Sequence, residues 1–143
     1  MDLVSDFANV VKDKIMEQVP VFEKNLLRAA YSTLEDHQNA SGVLAGLKSL
    51  YDSMDDVVNA FKQNNPVCDN SVHEFLPFIK KEIENKCAEL KYFTIQNLGV
   101  QQGLRGIGDS LEQAAETFIK SLDQKPVVGV ATEDTAIPSD SEA

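Results

Sequence analysis

Residues 43–61, VLAGLKSLYDSMDDVVNAF, carry the most regular pattern in the chain and decide its fold class. Within them Leu44, Leu47, Tyr51, Met54, Val58 and Phe61 recur at intervals of 3, 4, 3, 4 and 3, the period of one face of an α-helix. Val43, Leu50 and Val57 add a flanking row seven residues apart. Such a face is wider than a two-stranded coiled-coil seam and suits a bundle helix that touches two neighbours. The spacing predicts a helix over 43–63, its stripe serving as core or as an oligomer contact.

Toward the N-terminus, Asn39 to Gly42 has the chemistry of a turn, with Asn39 or Ser41 placed to cap the helix that follows. Before it, Val4, Phe7, Val11, Ile15 and Val19 form one apolar face, with Asp6, Lys12, Asp13 and Glu17 on the others. Pro20 has no N–H for the carbonyl of Met16, and its ring crowds that turn. A break or kink near Val19 is therefore expected. Phe22, Leu26, Ala29 or Ala30, and Leu34 then read as a second helix, or the second arm of a bent one, ending near His37 to Asn39.

Toward the C-terminus, residues 63–70 contain Pro66 and Asp69 and read as a loop. Ser71 with Glu74 has the form of a capping box. Val72, Leu76, Ile79, Ile83, Cys87, Leu90 and Thr94 follow as an apolar series, widened by Phe75, Phe78, Phe93, Ile95 and Leu98. Pro77 lies too deep for a first-turn proline, so a short turn, a bend and a long helix over 77–98 are expected.

Gly99, Gly103, Gly106 and Gly108 crowd the next ten residues, each costing roughly 1 kcal/mol against Ala inside a helix. Spacings of four and three would put Gly99, Gly103 and Gly106 on one helical face, which suits either close approach of another backbone or a hinge. Asp109 and Glu112 open a last helix over 109–124, carrying Leu111, Ala114 or Ala115, Phe118 and Leu122. Leu104 and Ile107 continue its stripe backward and allow an earlier start that takes in some of the glycines. Pro126 should end it. The expectation is an all-α, antiparallel bundle of four to five amphipathic helices over 1–124, with Pro20, Pro77 and the glycine region as its bending points. A disordered acidic C-terminal tail over 125–143 follows, in which Val127, Val128 and Val130 could dock as an extended segment.

The 143 residues suffice for one self-sufficient core, and 43% hydrophobic with 25% charged residues is the balance of a soluble globular protein. A formal charge of −10 disfavours nucleic acid and anionic membrane surfaces. No run approaches the roughly 18 to 20 apolar residues of a transmembrane segment, and no secretory signal opens the chain. Cytoplasmic residence is the expectation. Cys68 and Cys87 are the only cysteines. On one straight helix over 72–87 they would stand more than about 20 Å apart, so free thiols are expected.

Catalytic and metal constellations do not emerge from the spacing. His37 and His73 lack the Glu-x-x-His pairs of a bundle dimetal site, and Pro77 stands where the second His of a zinc-protease motif would fall. Cys87 lies on an apolar stripe, and Asp69 beside Cys68 opposes thiolate formation. The glycine region lacks the preceding strand and the Lys of a phosphate loop. No cofactor is implied. Asn39, Ala40 and Ser41 match the N-glycosylation pattern and read as an accidental match, while Ser139 and Ser141 sit among acids open to an acid-directed kinase. Lys80, Lys81, Lys86 and Lys91 interleave with Glu82, Glu84 and Glu89 as a solvated face. These features favour a non-enzymatic protein-interaction or assembly module, acting on a protein partner or on itself. The alternative is a bundle that opens to bind lipid or another apolar ligand.

Overall fold

The computed structural model describes residues 2–29 and 33–130. They form α1 (Leu3–Ala29), α2 (Leu34–Asn64), α3 (Val72–Ala88) and α4 (Ile95–Val130), and no strand occurs among the described residues. Each helix opens on a side-chain cap. Asp2 accepts from the Ser5 amide at 3.1 Å, Thr33 from Asp36 at 3.1 Å, Ser71 from Glu74 at 3.2 Å and Thr94 from Asn97 at 3.0 Å. These acceptors satisfy amides that have no partner within the first turn.

Consecutive helices run antiparallel. Lys12 reaches Asp55 at 2.8 Å and Lys48 approaches Glu23 at 3.9 Å, which sets α1 against α2 in opposite sense. Phe61 packs on Phe75 at one level while Lys86 lies 3.4 Å from Ser49 at another, giving the same relation for α2 and α3. Lys80 with Glu112, and Arg105 with Glu84, do so for α3 and α4. The result is an up-down-up-down bundle. One cluster of buried side chains from all four helices forms its core, and no polar or charged side chain is buried among the described residues.

Neither internal proline divides its helix. Pro20 lies inside α1 and Pro77 inside α3, so of the break or kink expected near Val19 the break does not occur, and the short turn expected before Pro77 is continuous with the helix beyond it. Each is exposed, as are Met16 and His73 four residues earlier, whose carbonyls lose their donors. The lost hydrogen bonds thus fall on the wet side, while Val19 and Ile79 are buried and keep both arms packed. Leu34 does not close a second N-terminal helix; it opens α2 and is 71% exposed.

Further boundaries differ. Asn39 to Gly42 is not a turn but lies within α2. The helix expected over 77–98 ends at Ala88, and residues 89–94 link it to α4, so Leu90 and Thr94 leave the stripe. Asp109 is no cap, because α4 begins at Ile95 and contains all four clustered glycines. It also contains Pro126 and runs to Val130; residues 131–143, most of the expected acidic tail, lie outside the described residues.

The glycines explain both the long α2 and the early α4. In an up-down-up-down bundle α2 and α4 are diagonal and parallel, yet theirs is the most extensive of the helix pairings. A Cβ built on Gly46 would stand 2.5 Å from the Val100 carbonyl oxygen, and one on Gly103 would stand 2.6 Å from that of Val43. Side chains on Gly42 and Gly99 would run into the carbonyl oxygens of Gln96 and Asn39, each also 3.0 Å from the other's Cα. Backbone meets backbone there, which only residues without a Cβ permit.

Candidate interaction surface

The stripe residues Leu44, Leu47, Met54, Val58 and Phe61 all lie in the core. Tyr51 is half-buried, with the Lys12 ammonium 5.5 Å from its ring centre. None of the six forms an outward apolar face. Of the glycines singled out, Gly99 and Gly103 make the close approach, whereas Gly106 faces open space. Of their partners, Gly42 was hidden in what reads as a turn, and Gly46 lay inside the helix expected over 43–63 without being singled out.

His37 and His73 are exposed in the first turns of α2 and α3, at opposite ends of the bundle. No group of three or more His, Cys, Asp or Glu side chains placed to hold a metal ion occurs among the described residues. Cys68 and Cys87 are free thiols. Cys87 is buried, and its removal from water pushes the thiol pKa up, against the opposing pull of the Arg105 charge. Thiolate chemistry at Cys87 is therefore disfavoured.

Several concavities open among the described residues. Between α3 and α4, one of about 340 Å³ has Ile83 as its apolar contribution and is edged by the Lys80–Glu112 and Arg105–Glu84 pairs. Each cation there faces a carboxylate: Lys80 holds Glu112 below its ordinary pKa, and Glu84 raises that of Arg105. A second, of about 440 Å³, opens beside Asp2, Lys62, Asp69 and Asn70. Two of its groups cap α1: Asn70 accepts from the Leu3 amide at 2.6 Å, and Asp2 accepts from the Ser5 amide while pairing with Lys62. Another, of about 340 Å³ between α1 and α4, is more apolar than these two, with Val10, Ala114 and Phe118 flanked by Asp13, Lys14 and Glu17.

The most exposed aromatic surface among the described residues lies elsewhere. Tyr92 is 76% and Phe93 87% exposed in the α3–α4 linker. That linker is tied at both ends. The Leu90 amide donates to the Cys87 carbonyl at 3.2 Å, the Asn97 side-chain amide donates to the Tyr92 carbonyl at 2.8 Å, and Thr94 caps α4. Two large rings are thereby held in water by a backbone with few alternatives. The topology brings the α1–α2 junction to the same end of the bundle, where Leu27 and Leu34 are 73% and 71% exposed. Sequence periodicity assigned Phe93 to a helical stripe and so missed this surface; the Thr94-x-x-Asn97 capping pattern was the signal that could have exposed it.

Comparison with family models, curated proteins and solved structures gives no match to this chain. No helix among the described residues is long and apolar enough to cross a membrane.

Proposed function

We propose that the protein is a non-enzymatic interaction and assembly module whose four-helix body presents Tyr92 and Phe93 to a protein partner. The exposure of two adjacent aromatic rings on a capped, hydrogen-bonded linker carries this reading. Aromatic side chains contribute large contact area at low entropic cost and dominate interface energetics. Fixing their backbone in advance lowers the ordering cost of binding further. Residence in a reducing compartment such as the cytoplasm goes with the reading and is supported by two free thiols. Partner capture by the full chain should be lost with Tyr92→Ser combined with Phe93→Ser and kept in a chain ending at Lys125. Capture unaffected by the linker variant would contradict the reading.

A second reading, an apolar-ligand or lipid binder, draws on the α1/α4 groove around Phe118, whose volume of about 340 Å³ is at the small end for a ligand site. The net charge of −10 weighs against anionic lipid. Fatty acids or zwitterionic vesicles that leave helicity and melting unchanged would end it.

A further inference from the structure

The α1/α4 groove differs from its neighbour between α3 and α4 in how its charges are used. In the α3/α4 cleft Lys80 pairs with Glu112 and Arg105 with Glu84, so the cations on its edge are taken. The charged lining of the α1/α4 groove is Asp13, Lys14 and Glu17, and none of the three forms an ion pair among the described residues. Asp13 and Glu17 are exposed and stand one helical turn apart on α1. The facing wall, Gln113, Thr117 and Ser121 of α4, is polar and uncharged. Between those residues in sequence, Glu116 and Lys120 offset each other. Carboxylates therefore outnumber cations above the floor of Val10, Ala114 and Phe118, in a chain whose formal charge of −10 draws cationic partners at long range.

We propose that the α1/α4 groove docks a basic amphipathic helix from a protein partner. The groove is separate from the Tyr92–Phe93 linker, and the inference goes beyond the reading given for that linker. Val10 to Glu17 on α1 and Gln113 to Ser121 on α4 each run about 11 Å, the length of two turns of a docked helix. Over two turns an amphipathic helix brings an apolar residue to the same face every three or four positions, and these would seat on Val10 and Phe118. Lys or Arg side chains flanking that face reach Asp13 and Glu17, with their apolar stems laid along the floor. An acidic segment would instead set its carboxylates against these two, with Lys14 as the one cation in the lining to answer them.

Titration of the isotope-labelled full chain with a leucine–lysine peptide patterned as an amphipathic helix, and with its leucine–glutamate counterpart, tests this by NMR. The expected result is saturable binding of the lysine peptide alone, with amide shifts centred on residues 10–17 and 113–121. Asp13→Asn combined with Glu17→Gln should weaken it about 10-fold or more. Asp52→Asn combined with Asp56→Asn, exposed on α2, removes the same charge at the same spacing and should leave binding within about twofold at physiological salt. Thr117→Lys, exposed on the α4 wall, should block the groove and carries the test if the α1 variant loses helicity. No binding of the lysine peptide, or shifts centred on other residues, would overturn the inference. Equal weakening by the two carboxylate pairs would overturn it by reducing the attraction to net charge. Laurate shifting the groove amides while the lysine peptide does not would overturn it in favour of the apolar-ligand reading. None of these variants alters Tyr92 or Phe93, so partner capture through the linker is judged separately.

Discussion

The two halves of the bundle solve the same packing problem in opposite ways. At the level of Gly42, Gly46, Gly99 and Gly103, the diagonal helices α2 and α4 touch through their backbones. Toward the other end, each helix contributes a ring to the centre. Phe7 of α1 lies 5.7 Å from Phe118 of α4 and 6.3 Å from Phe75 of α3, and Phe75 lies 5.2 Å from Phe61 of α2. Four rings need space that four hydrogens do not. The bundle is therefore pinched at one end and filled at the other, and the absence of side chains is as specific an instruction as their presence.

Substitutions at the two ends should separate these mechanisms. The largest effect belongs to the filled half: Phe75→Ala, at a position 0% exposed and in edge contact with two rings, should cost about 3 to 5 kcal/mol in urea unfolding. Gly42→Ala comes next. A methyl group gains about 1 kcal/mol of helix propensity but meets the Gln96 carbonyl, which cannot yield without moving α4. Overpacking of this kind leaves a net loss of roughly 1 to 3 kcal/mol, readable as a lower melting temperature.

Gly106→Ala should have the opposite sign. No atom lies within 4 Å of a Cβ built there, so the propensity gain of up to about 1 kcal/mol remains and the melting temperature rises. A loss at Gly106 would show that the pinch extends further along α4 than Gly103.

The smallest effect lies at the outer edge of the filled half. Lys62, and then the Ser5 amide, hold the Asp2 carboxyl at a pKa of about 2, down from 3.8. A depressed carboxylate stabilises the fold above its unfolded pKa and loses that contribution as pH falls through the folded one. The window is therefore from about pH 4 down to about pH 2. With its side chain 45% exposed, solvent screening keeps the contribution under about 1 kcal/mol. Lys62→Met should flatten that part of the stability profile and leave the glycine end untouched.

Much of the filled half was legible in the sequence, because core periodicity and capping are local signals. The spacing from Leu44 to Phe61 identified the buried face of α2, and Ser71 with Glu74 located the start of α3. The pinched half was legible on one side only. Gly99 and Gly103 suggested close approach, but Gly42 beside Asn39 and Ser41 read as a turn, since local propensity opposes helix there and only α4 supplies the reason for it. Pro20 and Pro77 suggested helix boundaries for a related cause: a proline's local cost was visible, while the burial of Val19 and Ile79 that keeps each helix continuous is tertiary. Phe93 fitted a helical stripe that in fact ends at Ala88, and this one misplaced boundary concealed the exposed aromatic pair.

The contact between Gly42 and Gly99 can be measured without altering the chain. In a carbon-edited NOESY spectrum, the backbone approach predicts a strong cross-peak between the α-protons of Gly42 and those of Gly99, residues 57 positions apart on separate helices. A spectrum in which both glycines are assigned and no such cross-peak appears would contradict the pinched bundle.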